Sequence, residues 1–326
     1  MKAVVFDKHG PPEALEIVDL AEPHPAPGQV RVRVRVRAVG IQPFDIGVRR
    51  GSLDVPVHFP QQLGNEFSGV VDELGDGVGD WSEGAAVLGW ANMASLAEYV
   101  VTGRDAIVRK PADMPWEVAG GLGASGQTAY TALRELNVRS GDTVLIHAAA
   151  GGVGTVAVQL ARAWGAAVIG TASAANHAYV ASLGATPVAY GDGLVERVRA
   201  AAPNGVQAAL DAHGGQALRD SITLVRDKNR IATLVDHDLA GELGVRGVRA
   251  QRRAAQLSEL VTLYQKGALR ILIRATFPLE KIVDAHRAVE TGHGRGKVVV
   301  VLEGGRLAEA ASALAPLRTA RTKPPA

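Results

Sequence analysis

Residues 147–154 read His-Ala-Ala-Ala-Gly-Gly-Val-Gly, and this stretch decides the fold. An apolar run at 143–146 precedes it, and a segment with helical periodicity at 155–166 follows it. A second apolar run, at 167–171, comes next. A strand, a glycine-rich turn, a helix and a second strand in that order form the unit that binds a dinucleotide. The sequence therefore predicts a dinucleotide site at this turn.

The glycines of the turn have separate tasks. Gly151 and Gly152 let the backbone come close to a pyrophosphate, and Gly154 lets the helix pack tightly on the strand. The helix N-terminus then offers free N–H groups and the positive end of its dipole. The first glycine of the usual motif is Ala149 here, so a tight turn in some other strand–helix–strand protein is the alternative. The candidate cofactor-binding residues of the turn are Ala149, Ala150, Gly151, Gly152, Val153 and Gly154.

Composition narrows the function classes. The chain has 326 residues, enough for two domains, and its 47% hydrophobic and 21% charged residues are ordinary for a globular enzyme. A net charge of +2 gives no broad basic field, so we expect no nucleic-acid partner. Without cysteine there is no disulfide, no thiolate nucleophile and no cysteine-bound zinc. With no apolar stretch of membrane-spanning length and no signal-peptide pattern, we expect a cytoplasmic protein without a membrane partner.

The pattern of the chain changes near residue 115. The part before it is β-rich, and the strict valine–arginine alternation of residues 30–37 predicts a strand with a solvated arginine face. A nucleic-acid-binding stripe is the alternative, which is disfavoured because acidic residues nearby balance the charge. From about 143 to 235, strands alternate with helices, which predicts an α/β fold with a parallel, doubly wound sheet. Its strands are expected at 143–148, 167–171, 186–190, 207–211 and 230–235.

Landmarks along the chain resemble the medium-chain dehydrogenase/reductase superfamily and, within it, the zinc-free quinone oxidoreductase branch that includes the zeta-crystallin type. The likeness covers nearly the whole chain, residues 1–303. Each landmark is weak alone, but together their order and spacing are specific. They stand at 1–4, 38–45, 63–71, 97–99, 126–130, 149–154, 210–211 and 294–299.

The resemblance implies a two-domain architecture with the cofactor in the cleft between the domains. A GroES-like β-barrel domain, which forms the catalytic part, is expected at 1–123, and a Rossmann domain at 124–253. Residues 254–303 are expected to return to the first domain. Residues 304–326 are expected to form a partly disordered tail.

Two positions depart from the zinc-dependent members of the superfamily. Those members bind zinc through a cysteine and through the histidine of a Gly-His-Glu motif, and the same positions carry Gln42 and Asn65 here. Neutral amides are poor zinc ligands, so we predict that there is no metal site. The zinc-free branch usually has asparagine where Gln42 stands, which sets this substrate pocket apart from its relatives.

The second strand of the dinucleotide unit predicts which cofactor binds. An NAD enzyme usually has a carboxylate at the end of this strand, and residues 170–177 contain none. The hydroxyls of Thr171 and Ser173 would meet a 2′-phosphate without repulsion. In the family a lysine typically stands where His177 is, and a tyrosine where Tyr190 is. Because histidine is a cation only at mildly acid pH, we predict a preference for NADPH that is weaker than usual for the family and rises as the pH falls; a solvated surface His177 is the alternative.

Two further residues are cofactor candidates. Thr128 resembles the family residue that lies near the nicotinamide, and a helix-capping threonine is the alternative. Lys297 precedes the last strand and is expected to reach a cofactor phosphate, or else to be a solvated lysine at a strand end. Asp211, at the end of a parallel strand, is expected to orient the adjacent loop and not to take part in catalysis.

The chemistry expected of the family is hydride transfer to a small molecule. An enone or quinone that accepts hydride develops negative charge on oxygen, which a neutral donor can stabilise. The amides of Gln42 and Asn65 are the candidate catalytic donors. Asp45 is expected to shape the substrate pocket, and Phe44 and Trp90 to stack on a flat substrate.

The resulting hypothesis is a zinc-free NADPH-dependent reductase of a quinone or another conjugated carbonyl. The alternatives are a tailoring reductase for one specialised metabolite and a non-catalytic NADPH-binding protein. Glu66 is expected to be structural, paired with an arginine. The family also implies a homodimer.

Overall fold

The structure is a computed structural model, and it describes residues 1–26, 31–292 and 294–302. The predicted tail at 304–326 lies outside the described residues. The strands are β1 (Lys2–Phe6), β2 (Glu16–Asp19), β3 (Arg31–Ile41), β4 (Gln61–Gln62), β5 (Phe67–Leu74), β6 (Ala86–Gly89), β7 (Tyr99–Gly103), β8 (Ile107–Arg109), β9 (Thr143–Ile146), β10 (Ala167–Ala172), β11 (Thr186–Ala189), β12 (Ala208–Asp211), β13 (Ile231–Thr233), β14 (Arg246–Gly247), β15 (Ile273–Pro278) and β16 (Lys297–Val301).

The α-helices alternate with strands mainly in the second half of the chain. They are α1 (Pro43–Arg50), α2 (Trp116–Gly120), α3 (Gly123–Glu135), α4 (Gly152–Ala163), α5 (His177–Ser182), α6 (Leu194–Ala201), α7 (Gln216–Leu224), α8 (His237–Leu243), α9 (Ala254–Gln265) and α10 (Ile282–Glu290). The expected boundary between the two domains, at 123/124, falls in the first turn of α3.

The parallel sheet has the order β11-β10-β9-β12-β13-β14, as the alternation of strands and helices predicted. Strand β9 is buried on both faces. Val144 and Ile146 pack in one core with α3, α4 and α9, and Leu145 packs in the other with α6, α7 and α8. From β9, the chain adds β10 and β11 on one side and then β12, β13 and β14 on the other, so the direction of strand addition reverses beside β9. In α/β sheets a crevice opens at the carboxyl ends of the strands at such a point.

The other large sheet is mixed, with the order β15-β16-β3-β5-β6-β8 and with β7 paired to β3. Val34 and Val36 of β3 are buried in its core. Arg33, on the opposite face, forms an ion pair with Asp72 and stacks over the ring of Tyr99. The sequence indicated that nearby acidic residues balance the charge of the arginines, and at Arg33 they do. The sequence also predicted a solvated arginine face, but the Arg33 side chain is mostly covered.

The chain returns from the parallel sheet to the mixed sheet through β15 and β16. Strand β16 pairs antiparallel with β3, and the backbone N–H of Gly296, just before β16, donates to Ala150 O at 2.8 Å. The same contact appears as a parallel bridge between Gly151 and Gly296. The glycine turn is thus joined directly to the segment that returns to the mixed sheet.

Candidate active site

The glycine turn has the close packing that its sequence predicted. A Cβ on Gly154 would lie 2.3 Å from Ala148 O, which leaves no space for any side chain. Ala148 has a φ of 53°, which turns the chain away from β9. The turn therefore depends on glycine at position 154 for contact between α4 and the backbone that follows the strand.

The start of α4 is suited to a pyrophosphate. No backbone carbonyl among the described residues accepts a hydrogen bond from the N–H groups of Gly152, Val153 or Gly154. The first N–H that is bonded is that of Thr155, to Gly151 O at 2.8 Å. Three free donors and the positive end of a twelve-residue helix form an anion site, so these residues fit a dinucleotide.

The expected 2′-phosphate site needs one correction. Thr171 lies inside β10, is 2% exposed, and its Oγ1 is 3.3 Å from Nδ1 of the buried His147. Its hydroxyl is therefore in the core and is not available to a phosphate. Ser173 and His177 lie just beyond the strand and are partly exposed. Ser173 Oγ accepts a hydrogen bond from Asn176 Nδ2, and His177 Nε2 is 3.3 Å from Ala172 O.

Two more side chains stand near this end of the site. Tyr190 is exposed, and its ring stacks on that of His213 at 6.5 Å between centroids. Arg295 was missed in the sequence. Its guanidinium lies 5.7 Å from the centroid of the Tyr179 ring, and its neighbour Gly296 is bonded to the glycine turn. Arg295 thus brings a positive charge to Tyr179, whose hydroxyl lies 3.0 Å from Thr155 Oγ1 in the first turn of α4.

Lys297 is neither solvated nor free to meet a phosphate in this structure, contrary to both expectations. Its side chain is 5% exposed, and its Nζ donates to Glu66 Oε1 at 2.7 Å. The second oxygen of Glu66 accepts from Ala124 N at 2.6 Å, at the start of α3. Glu66 is structural, as expected, but its partner is a lysine instead of an arginine.

The predicted substrate residues Gln42, Asp45 and Asn65 lie together. Asp45 is fully buried, and its carboxylate accepts hydrogen bonds from Gln42 N, Gly64 N and Asn65 Nδ2 at 2.9–3.1 Å. Burial raises the pKa of Asp45 to about 6, against the opposing effect of the backbone N–H groups of Gln42 and Gly64 and of Lys297. Asp45 therefore fixes both candidate catalytic residues, and the Nε2 of Gln42 remains buried without an acceptor in the described residues.

A positive side chain that sequence reasoning missed completes this cluster. Arg252, from the segment between β14 and α9, donates through Nη1 to Asn92 Oδ1 at 3.2 Å and to Asn65 O at 3.5 Å. Burial lowers the pKa of Arg252, against the attraction of Glu66 and Asp45. The adjacent residue, Arg253, is also an arginine, and nothing in the sequence indicated which of the two side chains points inward.

The remaining candidates lie at the edges of the cores. Phe44 is half-buried against the barrel core, and Trp90 is half-buried against the core of the parallel sheet. Thr128 is in the second turn of α3, and its Oγ1 donates back to Ala124 O at 2.8 Å, so it is not a helix cap. Asp211 accepts from the backbone N–H groups of His213 and Gly214 at 2.9 Å, which confirms that it orients the adjacent loop.

Two structural features are absent from the described residues. These residues contain no group of three or more His, Cys, Asp or Glu side chains placed to hold a metal ion. None of their helices is both long and apolar enough to cross a membrane.

Two family models match the chain. The model described as "Alcohol dehydrogenase GroES-like domain" matches residues 27–139. The model described as "Zinc-binding dehydrogenase" matches residues 183–300. Between them lies the glycine turn.

Known proteins match over almost the whole length. The quinone oxidoreductase structure from Coxiella burnetii is 34% identical, with a TM-score of 0.81 over 92% of this chain and 99% of that one. A quinone oxidoreductase of Homo sapiens is 27% identical over 332 residues, which covers 93% of this chain and 98% of the relative. A mycobacterial protein solved in complex with NADPH is 27% identical, with a TM-score of 0.80 over 92% of this chain and 100% of that one.

Proposed function

This chain belongs to the medium-chain dehydrogenase/reductase superfamily, in its quinone oxidoreductase branch, and we propose that it reduces a quinone or another conjugated carbonyl with NADPH, without zinc. It is an oxidoreductase with a nicotinamide cofactor, as its relatives indicate. The observation that carries the proposal is the pair of amides, Gln42 and Asn65, held by the buried Asp45 where zinc-dependent relatives place metal ligands.

Different residues of the chain would bind the cofactor and orient the substrate. The free N–H groups at the start of α4 would hold the pyrophosphate, and Thr128 would lie beside the nicotinamide. The bound cofactor supplies a hydride. The amide N–H groups beside Asp45 would donate to the acceptor oxygen as it gains negative charge. Phe44 and Trp90 would cover a flat substrate and exclude water.

The preference for NADPH rests on the absence of a carboxylate at the end of β10. Ser173 and His177 would contact the 2′-phosphate, and Tyr190 would lie against the adenosine end. Arg295 would add positive charge at this end of the site, because its guanidinium lies near the ring of Tyr179 in α5, two residues after His177.

Zinc independence rests on the chemistry of the side chains. Gln42 and Asn65 offer neutral amides, and the chain has no cysteine. We also propose that the protein is a cytoplasmic homodimer. Size-exclusion chromatography with light scattering would test the dimer.

The experiment that tests the function is NADPH oxidation, followed by absorbance, with a benzoquinone, a naphthoquinone, a 2-alkenal, a cyclic enone and a simple ketone. We expect turnover of a quinone or enone but not of the ketone, unaffected by a chelator. Tight NADPH binding without turnover would favour a specialised substrate or a non-catalytic role. Ketone turnover that a chelator abolishes would overturn the proposal.

A further inference from the structure

The guanidinium of Arg252 has hydrogen-bonding capacity that the described residues do not use. Its Nη1 donates hydrogen bonds to Asn92 Oδ1 and Asn65 O. Its Nε is buried without an acceptor, and its Nη2 donates to none of the described residues. A buried N–H group without an acceptor is costly unless a ligand supplies one.

A second unused donor lies within the same cluster. The Nε2 of Gln42 is also buried without an acceptor in the described part of the chain. The backbone of Gln42 and the side chain of Asn65 bind the same carboxylate, that of Asp45, and Arg252 reaches the carbonyl of Asn65. Gln42, at the start of α1, is connected to Asn65 through Asp45, and Arg252, before α9, is connected to the Asn65 carbonyl. The two unpaired N–H groups therefore belong to one hydrogen-bonded cluster.

The carboxylates of the cluster do not bind Arg252 directly, so its positive charge is available to an anion. Glu66 is already paired with Lys297 and bonded to the start of α3, so it does not neutralise Arg252 directly. Asp45 uses its oxygens on Gln42, Gly64 and Asn65. Arg252 is thus the cation of the cluster whose oxygen partners in the described residues are all neutral.

We propose that Arg252 binds the carbonyl oxygen of the acceptor and stabilises the negative charge that this oxygen gains during reduction. The inference rests on the proposed function and adds a residue to it. In the reduction of an enone, the β-carbon gains a hydride, the C=C pair moves to form the new C=C of the enolate, and the C=O pair passes to oxygen. The nicotinamide cofactor is oxidised, and the enolate takes one proton from water.

Arginine is suited to this role for two reasons. Its positive charge is permanent, and its planar N–H groups can donate to one oxygen together with a neighbouring amide. A fixed donor in a site with little water stabilises charge that develops on oxygen without reorganisation. The cation would favour acceptors whose oxygen gains negative charge during reduction, and quinones and enones belong to this class.

The kinetic test compares Arg252→Met with Arg253→Met, which removes the same charge from the adjacent, exposed arginine. Loss of one donor of this kind lowers kcat on the order of a hundredfold. We expect that loss for Arg252→Met with the acceptor that the wild-type protein reduces best, and no comparable loss for Arg253→Met. Arg252→Lys keeps the charge without the planar fork and should lie between; it also serves if Arg252→Met does not fold. Equal kcat values for all the variants would overturn the proposal.

A binding test does not depend on turnover. 4-Nitrophenolate resembles a hydroquinone anion, and its absorbance reports its ionisation. With NADP⁺ present, the phenol bound to the wild-type protein should ionise at lower pH than the phenol bound to Arg252→Met, whereas Arg253→Met should match the wild type. The same titration for all three would overturn the role of Arg252, even if quinone turnover is found. A shift confined to Arg252→Met would support the role even if no acceptor in the panel is reduced, which separates it from the proposed function.

Discussion

His286 shows how one buried residue can tie stability to pH. It lies in α10 and is fully buried, and both ring nitrogens lack a partner in the described residues. Burial, reinforced by Arg49, lowers its pKa to about 3. The unfolded chain therefore binds one more proton than the folded chain between pH 6.5 and 3, and stability falls as the pH falls through that range.

We expect His286→Met to flatten this dependence, because methionine fills a similar volume and does not titrate. The slope that His286 contributes is at most about 1.4 kcal/mol per pH unit. Urea unfolding at several pH values from 7 down to 4 would measure it. His58→Met, at an exposed position, is the control and should leave the profile as it is. An unchanged acid slope in His286→Met would contradict the prediction.

His177 carries the prediction about cofactor choice. It begins α5 just beyond β10, and a lysine at this position would keep its charge at every relevant pH. We expect His177→Lys to tighten NADPH relative to NADH by about tenfold, equal to about 1.4 kcal/mol. We also expect it to remove the pH dependence of the ratio of the two Michaelis constants. His237→Lys, at the start of α8, is the matched control; a wild-type ratio that does not change with pH would refute the role of His177.

Single residues were predicted unevenly from the sequence. Gln42 and Asn65 lie together around Asp45, and the family motif had singled them out, but their catalytic role stays a prediction. Thr171 was misjudged because both faces of a parallel strand are buried, so a hydroxyl next to the strand end can point inward. Lys297 was misjudged because a sequence does not show which carboxylate, 231 positions away, will pair with a lysine. Arg252 was missed because nothing local distinguishes it from Arg253.

At the scale of elements, the link between β9 and α4 depends on Gly154. We expect Gly154→Ala to destabilise the fold by about 1–3 kcal/mol, and to weaken NADPH binding, because the new methyl group would meet the backbone at Ala148. Gly241→Ala, within α8 and with nothing near its added Cβ, is the control and should stabilise by up to about 1 kcal/mol. Urea unfolding and quenching of tryptophan fluorescence by NADPH would measure both effects. Wild-type affinity in Gly154→Ala would show that the close contact is not needed.

The positions of the helices and strands were predicted well from the hydrophobic pattern of the sequence. The five expected strands of the parallel sheet are all present, and the break between α2 and α3 falls at the glycines of residues 120–123. Strand β9 ends two residues before the predicted limit because Ala148 takes a left-handed conformation that apolar character does not reveal. The segment 236–253 contains α8 and β14, which were not predicted because their exposed faces carry little hydrophobic signal.

At the scale of the whole molecule, one buried ion pair connects three parts of the chain. Glu66 comes from the turn before β5, Lys297 begins the returning strand β16, and Glu66 also receives Ala124 N at the start of α3. The stem of Lys297 lies where a side chain at Gly152 would be, so the pair also touches the cofactor turn. The resemblance predicted the cleft and the return to the barrel, but this contact depends on residues too far apart for local patterns to show.

Removing either partner of this pair should lower the free energy of unfolding, because each single change leaves a buried charge without its partner. We expect Glu66→Gln and Lys297→Met each to lose about 3–5 kcal/mol of unfolding free energy. The double variant should lose less than the sum, since no unpaired charge remains, with a coupling of about 0.5–3 kcal/mol. Urea unfolding measures all of these, and Glu13→Gln, in the exposed pair with Arg287, is the control. Additive losses would mean that the two side chains stabilise their own elements separately, and the pair would then not be what holds the returning strand to the cofactor turn.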